Sequence, residues 1–452
     1  MKIVVLNGSP AGKNSVTLQT VNYMQALNPG HEFEVLHVGQ QIRSMEKNFG
    51  SCKEALESAD LILFAYPVYT FLVPAQLHRF IELIKENGVS LSGKYATQLS
   101  TSKHFYDSTA HRFIADNCAD LGLRYIRGLS ADMDDILKEK GQKQAADFFD
   151  FILWTMENGV TAPIPQKTDA FVPVKATLPV SPAAKTAAGE VVVVADLPAD
   201  DEILTSMIAR FEQRLSRKVR VVNIAEFPFS GGCLGCFHCA STGKCVYKDG
   251  FDDFLRREIQ AADATVFAYR IKDHSMGSRF KKYDDRQFCN GHRTVTMGKP
   301  VGYLVDGPLS EEENLRVLMS ARAEVGGNFL AGVACSETDP DGEIDRLAET
   351  LDFALAHGYQ PPADFYGVGG MKIFRDLIYQ MQGLMRADHK FYKAHGFYKD
   401  YPQKHKGTIL AMYLVGGLMK NKKLTKKIGK QMTEFMVMPY QKAIEKAKAK
   451  KK

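Results

Sequence analysis

The 452-residue sequence lacks any apolar run long enough to span a bilayer. Its longest candidate, Thr408–Met419, falls well short of the ~20 residues a span needs, and Gly416-Gly417 interrupts it. No charged n-region followed by an apolar h-region opens the chain, so no secretory signal is read there. The expectation is a cytoplasmic protein whose thiols are reduced by default. A broadly basic surface is missing as well. The net charge of +6 comes from the end of the chain, where residues 372–452 carry 20 Lys/Arg against 5 Asp/Glu. The rest is acidic, which argues against nucleic-acid binding by the body of the protein. Hydrophobic residues at 45% and charged residues at 24% are those of an ordinary globular chain, and the length suits two or three domains.

The most informative stretch is Lys2–Thr17, KIVVLNGSPAGKNSVT. Ile3–Leu6 is a continuous β-branched and apolar run, suited to a strand buried on both faces of a parallel sheet. It ends in Asn7-Gly8-Ser9-Pro10, and Ser15–Leu27 reads as a helix. A strand, a small-residue loop and a helix amino terminus together make an anion site, because unpaired N–H groups and the helix dipole point at the ligand. Ser9, Asn14, Ser15 and Thr17 add donors and Lys13 a charge. This turn has neither the G-x-G-x-x-G nor the G-x-x-x-x-G-K-[ST] pattern, so neither a dinucleotide fold nor an NTPase loop is indicated. An ordinary strand-to-helix turn with a hydroxyl cap is the plain alternative.

Strands and helices then alternate. His31–Val38, Asp60–Ala65, Lys94–Ser100 and a weaker Leu123–Leu129 read as strands, and Cys52–Ala59, Pro74–Glu86 and Gly141–Asn158 as helices. Such alternation predicts a doubly wound α/β domain over residues 1–160. In that fold, ligands bind at the carboxyl ends of the strands, where the aromatic loop Pro67–Phe71 and the segment Thr101–Tyr106 fall. Residues 161–189 contain Pro163, Pro165, Pro173, Pro179 and Pro182, the composition of an extended linker.

The pattern restarts at residue 190. Ser58-Ala59-Asp60 before Phe64-Ala65-Tyr66 returns as Ala261-Ala262-Asp263 before Phe267-Ala268-Tyr269, which predicts a tandem duplication extending to residue 364. Strands are expected at Val191–Val194, Lys218–Ile224, Lys299–Val305 and Phe329–Cys335, and helices at Ile203–Leu215 and Glu343–His357. In place of the phosphate turn, the second copy has Asp196, Asp200, Asp201 and Glu202. Four carboxylates would repel a phosphate. Arg270 replaces Pro67 in the aromatic loop, and the segment onward to Arg286 is charged.

The second copy also carries Cys233, Cys236, Cys239 and Cys245, spaced C-x2-C-x2-C-x5-C. Four of the chain's eight cysteines thus lie within thirteen residues, among glycines 231, 232, 235 and 243 that permit tight turns. Such thiolates can converge on a soft metal centre. An iron–sulfur cluster, a tetrathiolate zinc site, exchanging thiols and a cluster-free relic all remain open. Cys52, Cys118, Cys289 and Cys335 read as small buried residues.

Residues 365–452 mix aromatics, methionines and lysines in helical patterns. Ile373, Leu377, Ile378, Met381 and Leu384 form an apolar stripe expected to cover a sheet. The runs Asn421–Lys430 and Glu445–Lys452 read as a solvated face and a frayed tail, with an anionic membrane surface or acidic partner as the alternative.

With these residues in view, the first domain resembles the flavodoxin-like NAD(P)H-dependent FMN reductases, through GSPAGKNSVT and YPVYTFLVPAQLHRFIE. The second, with its four cysteines, Gly-Lys-Cys and Asp252-Asp253, is similar to the iron–sulfur flavoproteins of the same superfamily. In that family one domain usually carries loop, aromatic segment and cysteines together, whereas here they are divided between two. The resemblance implies two tandem flavodoxin-like, doubly wound parallel-sheet α/β domains plus a basic helical extension. It further implies FMN held at the phosphate by Ser9, Lys13, Asn14, Ser15 and Thr17. The ring would be held by Pro67, Val68, Tyr69, Thr70 and Phe71, and at its other edge by Thr101, Ser102 and His104. A [4Fe–4S] cluster would sit on Cys233, Cys236, Cys239 and Cys245. The implied activity is electron transfer from NAD(P)H or a protein donor to a quinone, flavin or other small acceptor. A homo-oligomer is compatible with this reading, and a non-catalytic electron carrier or redox sensor with vestigial cysteines is the alternative.

Overall fold

The computed structural model describes residues 1–164, 170–399 and 406–419. Met1–Phe391 forms one compact unit and Tyr392–Lys452 another. The first unit is built on two parallel sheets. One contains β1 (Lys2–Asn7), β2 (Glu32–Leu36), β3 (Leu61–Pro67), β4 (Tyr95–Ser102), β5 (Arg124–Tyr125) and β6 (Leu129–Asp132). Its order is β2-β1-β3-β4-β5, and β6 pairs with β4 beyond β5. The other contains β7 (Glu190–Ala195), β8 (Lys218–Asn223), β9 (Ala264–Arg270), β10 (Pro300–Asp306) and β11 (Phe329–Cys335). Its order, β8-β7-β9-β10-β11, is that of the first sheet. Both are the flavodoxin-like 2-1-3-4-5 arrangement.

The apolar runs behave as a doubly covered sheet requires. Ile3 and Val5 face one core, while Val4 and Leu6 face another. Val191 and Val193 face a core of their own, whereas Val192 and Val194 point into the core that also holds Val4 and Leu6. The inner faces of both sheets therefore share one hydrophobic interior, a much closer union than two independently folded domains on a tether.

Around the first sheet lie α1 (Val16–Leu27), α2 (Val38–Lys47), α3 (Gly50–Ser58), α4 (Ala75–Glu86), α5 (Asp107–Asp120) and α6 (Glu139–Asn158). Around the second lie α7 (Glu202–Arg214), α8 (His238–Thr242), α9 (Phe251–Phe254), α10 (Gly277–Arg286), α11 (Glu313–Gly326) and α12 (Pro340–His357). The sequence located neither α2, α5, α10 nor α11. The second strand, expected to run to Val38, ends at Leu36, and Val38 already opens α2, whose Gly39 packs against the Gly8 carbonyl and the Ser9 backbone. The expected fifth strand is divided into β5 and β6. Segment 170–189 has no helix or strand, but it is docked. Val174 N–H donates to Ser336 O at 2.7 Å and Ala183 N–H to Gln213 O at 2.7 Å.

Two turns repeat a rare feature. Thr70 and Phe71 after β3 have φ of 40° and 71°, and Asp273 and His274 after β9 have φ of 53° and 62°. Paired left-handed residues of this kind are the conformation of a tight I′-type turn. Helix α13 (Phe365–Gln380) carries Ile373, Leu377 and Ile378 of the expected stripe, while Met381 and an exposed Leu384 fall beyond its end. It packs on α11 and on the loop after β4, where Phe374 stacks on Phe105 with centroids 3.9 Å apart. Gly370 makes this approach feasible, since a Cβ there would meet Val325 Cγ2 at 2.6 Å. Two further helices, α14 (Arg386–Ala394) and α15 (Lys406–Met419), follow. No described helix is long and apolar enough to cross a membrane. The lysine runs at 421–430 and 445–452 lie outside the described residues.

Candidate functional site

The site begins at the β1–α1 turn. Asn7 organises it: its Nδ2 donates to Gly12 O at 2.9 Å, and its Oδ1 accepts the Ser9 N–H at 3.2 Å. Ser9 Oγ in turn accepts the Ala11 N–H at 3.3 Å. Ser15 is the N-cap of α1, its Oγ accepting the Leu18 N–H at 3.3 Å. The first N–H groups of α1 have no partner within the helix and face the space beyond the turn.

That space is a mainly apolar cavity of about 450 Å³. Ser9, Asn14, Ser15 and Thr17 line it, with Pro67, Val68, Tyr69, Thr70 and Phe71 and with Thr101 and Ser102. Lys13 and His104 do not. Lys13 is exposed, and His104 turns to Asp107 at 3.0 Å. Thr101 Oγ1 is buried with no hydrogen-bond partner among the described residues, a donor-acceptor left for something in the cavity. Thr70 is already committed: its hydroxyl donates to Asp285 Oδ1 at 2.6 Å. Phe71, only 2% exposed, packs on Tyr106 at 4.3 Å beneath the Arg322 guanidinium and is as much a core residue as a lining one.

Cys233, Cys236, Cys239 and Cys245 line the same cavity. The fold brings the cysteine loop of the second domain against the loops of the first. Tyr69 is the meeting point, because its hydroxyl occupies the space that a Cβ on Gly235 would need. Burial, with Cys233, Asp285 and Cys236 nearby, raises the Tyr69 phenol well above its ordinary value. Gln76 of α4 donates to Cys233 O at 3.2 Å. All four cysteines are free thiols. The Gly235 N–H approaches Cys233 Sγ at 3.5 Å. Burial pushes Cys233 well up and Cys239 up to about 11, so ligation would require proton release. The four sulfurs are not drawn into a tight knot: among the described residues, the set of three ligating atoms that closes within 4.8 Å lies elsewhere.

Arg286, at the end of α10, anchors the loop. It donates to Gly231 O at 3.0 Å and to both Asp249 oxygens at 2.8 and 2.9 Å, with its guanidinium 4.5 Å from the Tyr247 ring centroid. Cys245 N–H donates to Asp252 Oδ2 at 2.6 Å. Of these anchors the sequence singles out Asp252 alone, as part of the resemblance; Arg286 stands there only at the end of a charged segment. At the corresponding edge of the second sheet, Arg270 pairs with Asp306 at 2.7 Å and Asp201 at 3.3 Å, and Arg279 with Asp196 at 2.6 Å. Protein cations there face the carboxylates that replace the phosphate turn.

Residues 1–112 match the family model described as NADPH-dependent FMN reductase. An iron-sulfur flavoprotein of Archaeoglobus fulgidus is 27% identical over 175 residues, covering 36% of this chain and 79% of the relative. Among solved structures, an NADH:FMN oxidoreductase (EMOB, apo form) aligns at 21% identity, with 34% of this chain and 89% of that one covered and a TM-score of 0.30. The flavoenzyme NAD(P)H:(acceptor) oxidoreductase FerB of Paracoccus denitrificans aligns at 20% identity, covering 35% and 97%, with a TM-score of 0.29. The match to the NADPH-dependent FMN reductase family thus rests on residues 1–112, which hold β1 to β4 and the β1–α1 turn that lines the cavity.

Proposed function

We propose that this chain is an NAD(P)H-dependent flavin oxidoreductase that holds FMN against the first sheet and delivers electrons to a quinone, flavin or other small acceptor. An iron–sulfur cluster on the cysteines of the second domain would lie beside the flavin. The observation that carries this reading is the single cavity lined both by the Ser9–Thr17 turn and by Cys233, Cys236, Cys239 and Cys245. Bound FMN would supply hydride acceptance, and a cluster would supply one-electron capacity.

The protein's own part is positioning. Ser9, Asn14, Ser15 and Thr17 with the start of α1 suit a terminal phosphate. The 67–71 turn and Thr101 Oγ1 suit the flat polar edge of the ring. Four thiolates within thirteen residues suit a multi-iron centre. Arg286 and Gln76 hold the loop at the cavity. Anaerobically purified protein should show flavin and cluster absorption, about one FMN and four irons per chain, and NAD(P)H oxidation with a quinone or free flavin. A colourless preparation that takes up no FMN overturns the reading. A flavin spectrum with no iron or sulfide removes the cluster alone.

A further inference from the structure

A second group of ligating side chains lies away from the cavity, where α4 meets the turn after β9. We propose that His78, Glu82 and Asp273 form a site for one divalent transition-metal cation, zinc being the best chemical match, that clamps the two halves of the chain together. One ligand atom from each lies within 4.8 Å of the others. His78 is fully buried, and neither ring nitrogen has a hydrogen-bond partner among the described residues. Asp273 Oδ2 is likewise buried without one and sits 3.9 Å from His78 Nε2. His78 Nε2 and Asp273 Oδ2, two unmet polar atoms facing each other in one buried place, are costly unless something joins them.

The duplication shows what that something is. Position 78 of α4 corresponds to 281 of α10, position 82 to 285, and turn residue 70 to 273, each pair 203 residues apart. In the later half, Lys281 places its ammonium on three oxygens: Tyr69 O at 2.8 Å, Thr70 Oγ1 at 2.5 Å and the Asp285 carboxylate. A built-in cation thus fills the interface on one side. On the other side the matching position is a shorter imidazole, and the matching turn residue is a second carboxylate. The acceptors remain, and among the described residues no one protein cation joins all three.

Neighbouring cations do not replace it. Lys85 holds Asp273 Oδ1 at 2.8 Å but also Asp120. Arg79 and Lys272 reach Glu82 Oε2, yet both are shared with Glu86. One imidazole and two carboxylates suit zinc and leave a fourth position open.

The test uses the full chain as purified, washed with chelator and titrated with Co²⁺ as a coloured substitute for zinc. Nitrogen–oxygen coordination gives weak visible bands, whereas the cysteines give intense thiolate-to-metal charge-transfer bands, so the two sites are read separately. One equivalent of the weak-band species is expected in the wild type and in Cys236→Ser. Its affinity should fall at least tenfold in Asp273→Asn, a rim substitution that tolerates the left-handed backbone, and it should be lost in His78→Gln. Zn²⁺ should raise the Tm of Cys236→Ser, and the rise should shrink when Asp273→Asn is added to that background. Absence of the weak-band species from the wild type overturns the proposal, as does unchanged affinity in Asp273→Asn. If His78→Gln does not fold, Asp273→Asn decides.

Discussion

Glu82 and Asp285 each accept a backbone N–H from the start of the other's helix: Ser278 N–H donates to Glu82 Oε1 at 2.8 Å, and Ala75 N–H donates to Asp285 Oδ2 at 2.8 Å. The two carboxylates are 203 residues apart, and so are the two donors. Reciprocal contact, residue i on j and j on i, is the mark of an isologous two-fold interface. Here it lies within one chain. The two halves thus pack on each other with the reciprocity of an isologous dimer, while one carries the β1–α1 turn and the other the four cysteines.

Because Lys281 and Asp285 are both fully buried, removing the carboxylate strands an ammonium in the shared core. Asp285→Ala should cost about 4 kcal/mol of unfolding free energy, measured by urea denaturation. Restoring apolar packing in a Lys281→Met/Asp285→Leu double variant should recover most of that loss. Additive losses would show that the pair does not act as a unit.

Acid should loosen the cysteine loop in a defined window. Burial alone would raise the Asp249 carboxyl, but Arg286 and the Ser230 and Phe251 N–H groups outweigh it and bring it from 3.8 down to about 2. A folded-state value below the ordinary one means that ionised Asp249 favours folding. That contribution is complete above about pH 4 and fades as pH falls toward 2. Wild type should show this slope in stability against pH, and Asp249→Asn should lack it. The variant should also be less stable by about 3 kcal/mol at neutral pH, since Arg286 is left buried without its carboxylate.

Those two anchors also show why the sequence was legible in some places and opaque in others. Ile3–Leu6 and Val191–Val194 announce buried parallel strands because a doubly covered strand has no polar face to alternate with. The phosphate turn and the cysteine spacing are local patterns, readable without a fold. Lys281, Asp285 and Arg286 lie in a charged segment with no apolar stripe to announce a buried helix, and only the pseudo-two-fold packing of α10 against α4 buries it. The contact between Tyr69 and Gly235 joins residues 166 positions apart, and no local pattern encodes it. The sequence assigned Lys13 to the phosphate by its charge, but the turn leaves its side chain outside the cavity.

The shape of the phosphate turn depends on a residue in another element. Gly39, in the first turn of α2, packs so closely on the Gly8 carbonyl and Ser9 backbone that a Cβ would displace them. Gly39→Ala should leave a folded protein, because both sheets are untouched, yet weaken FMN binding by about tenfold or more. Quenching of FMN fluorescence on titration measures this. Wild-type affinity would show that the turn does not hold the phosphate.

The cysteine loop offers a complementary test. Gly235 has φ +60°, and a Cβ there would strike the Tyr69 hydroxyl. Gly235→Ala thus meets two obstacles, a left-handed backbone costing roughly 1 kcal/mol and a collision across the domain interface. The expected result is a protein that binds FMN normally but retains little iron, read by metal analysis beside flavin content. Adding Tyr69→Ala removes the collision and leaves only the backbone strain, so iron should return in part. Full iron in Gly235→Ala alone would mean that the loop is not held against Tyr69, and the cysteines would then not be placed beside the flavin.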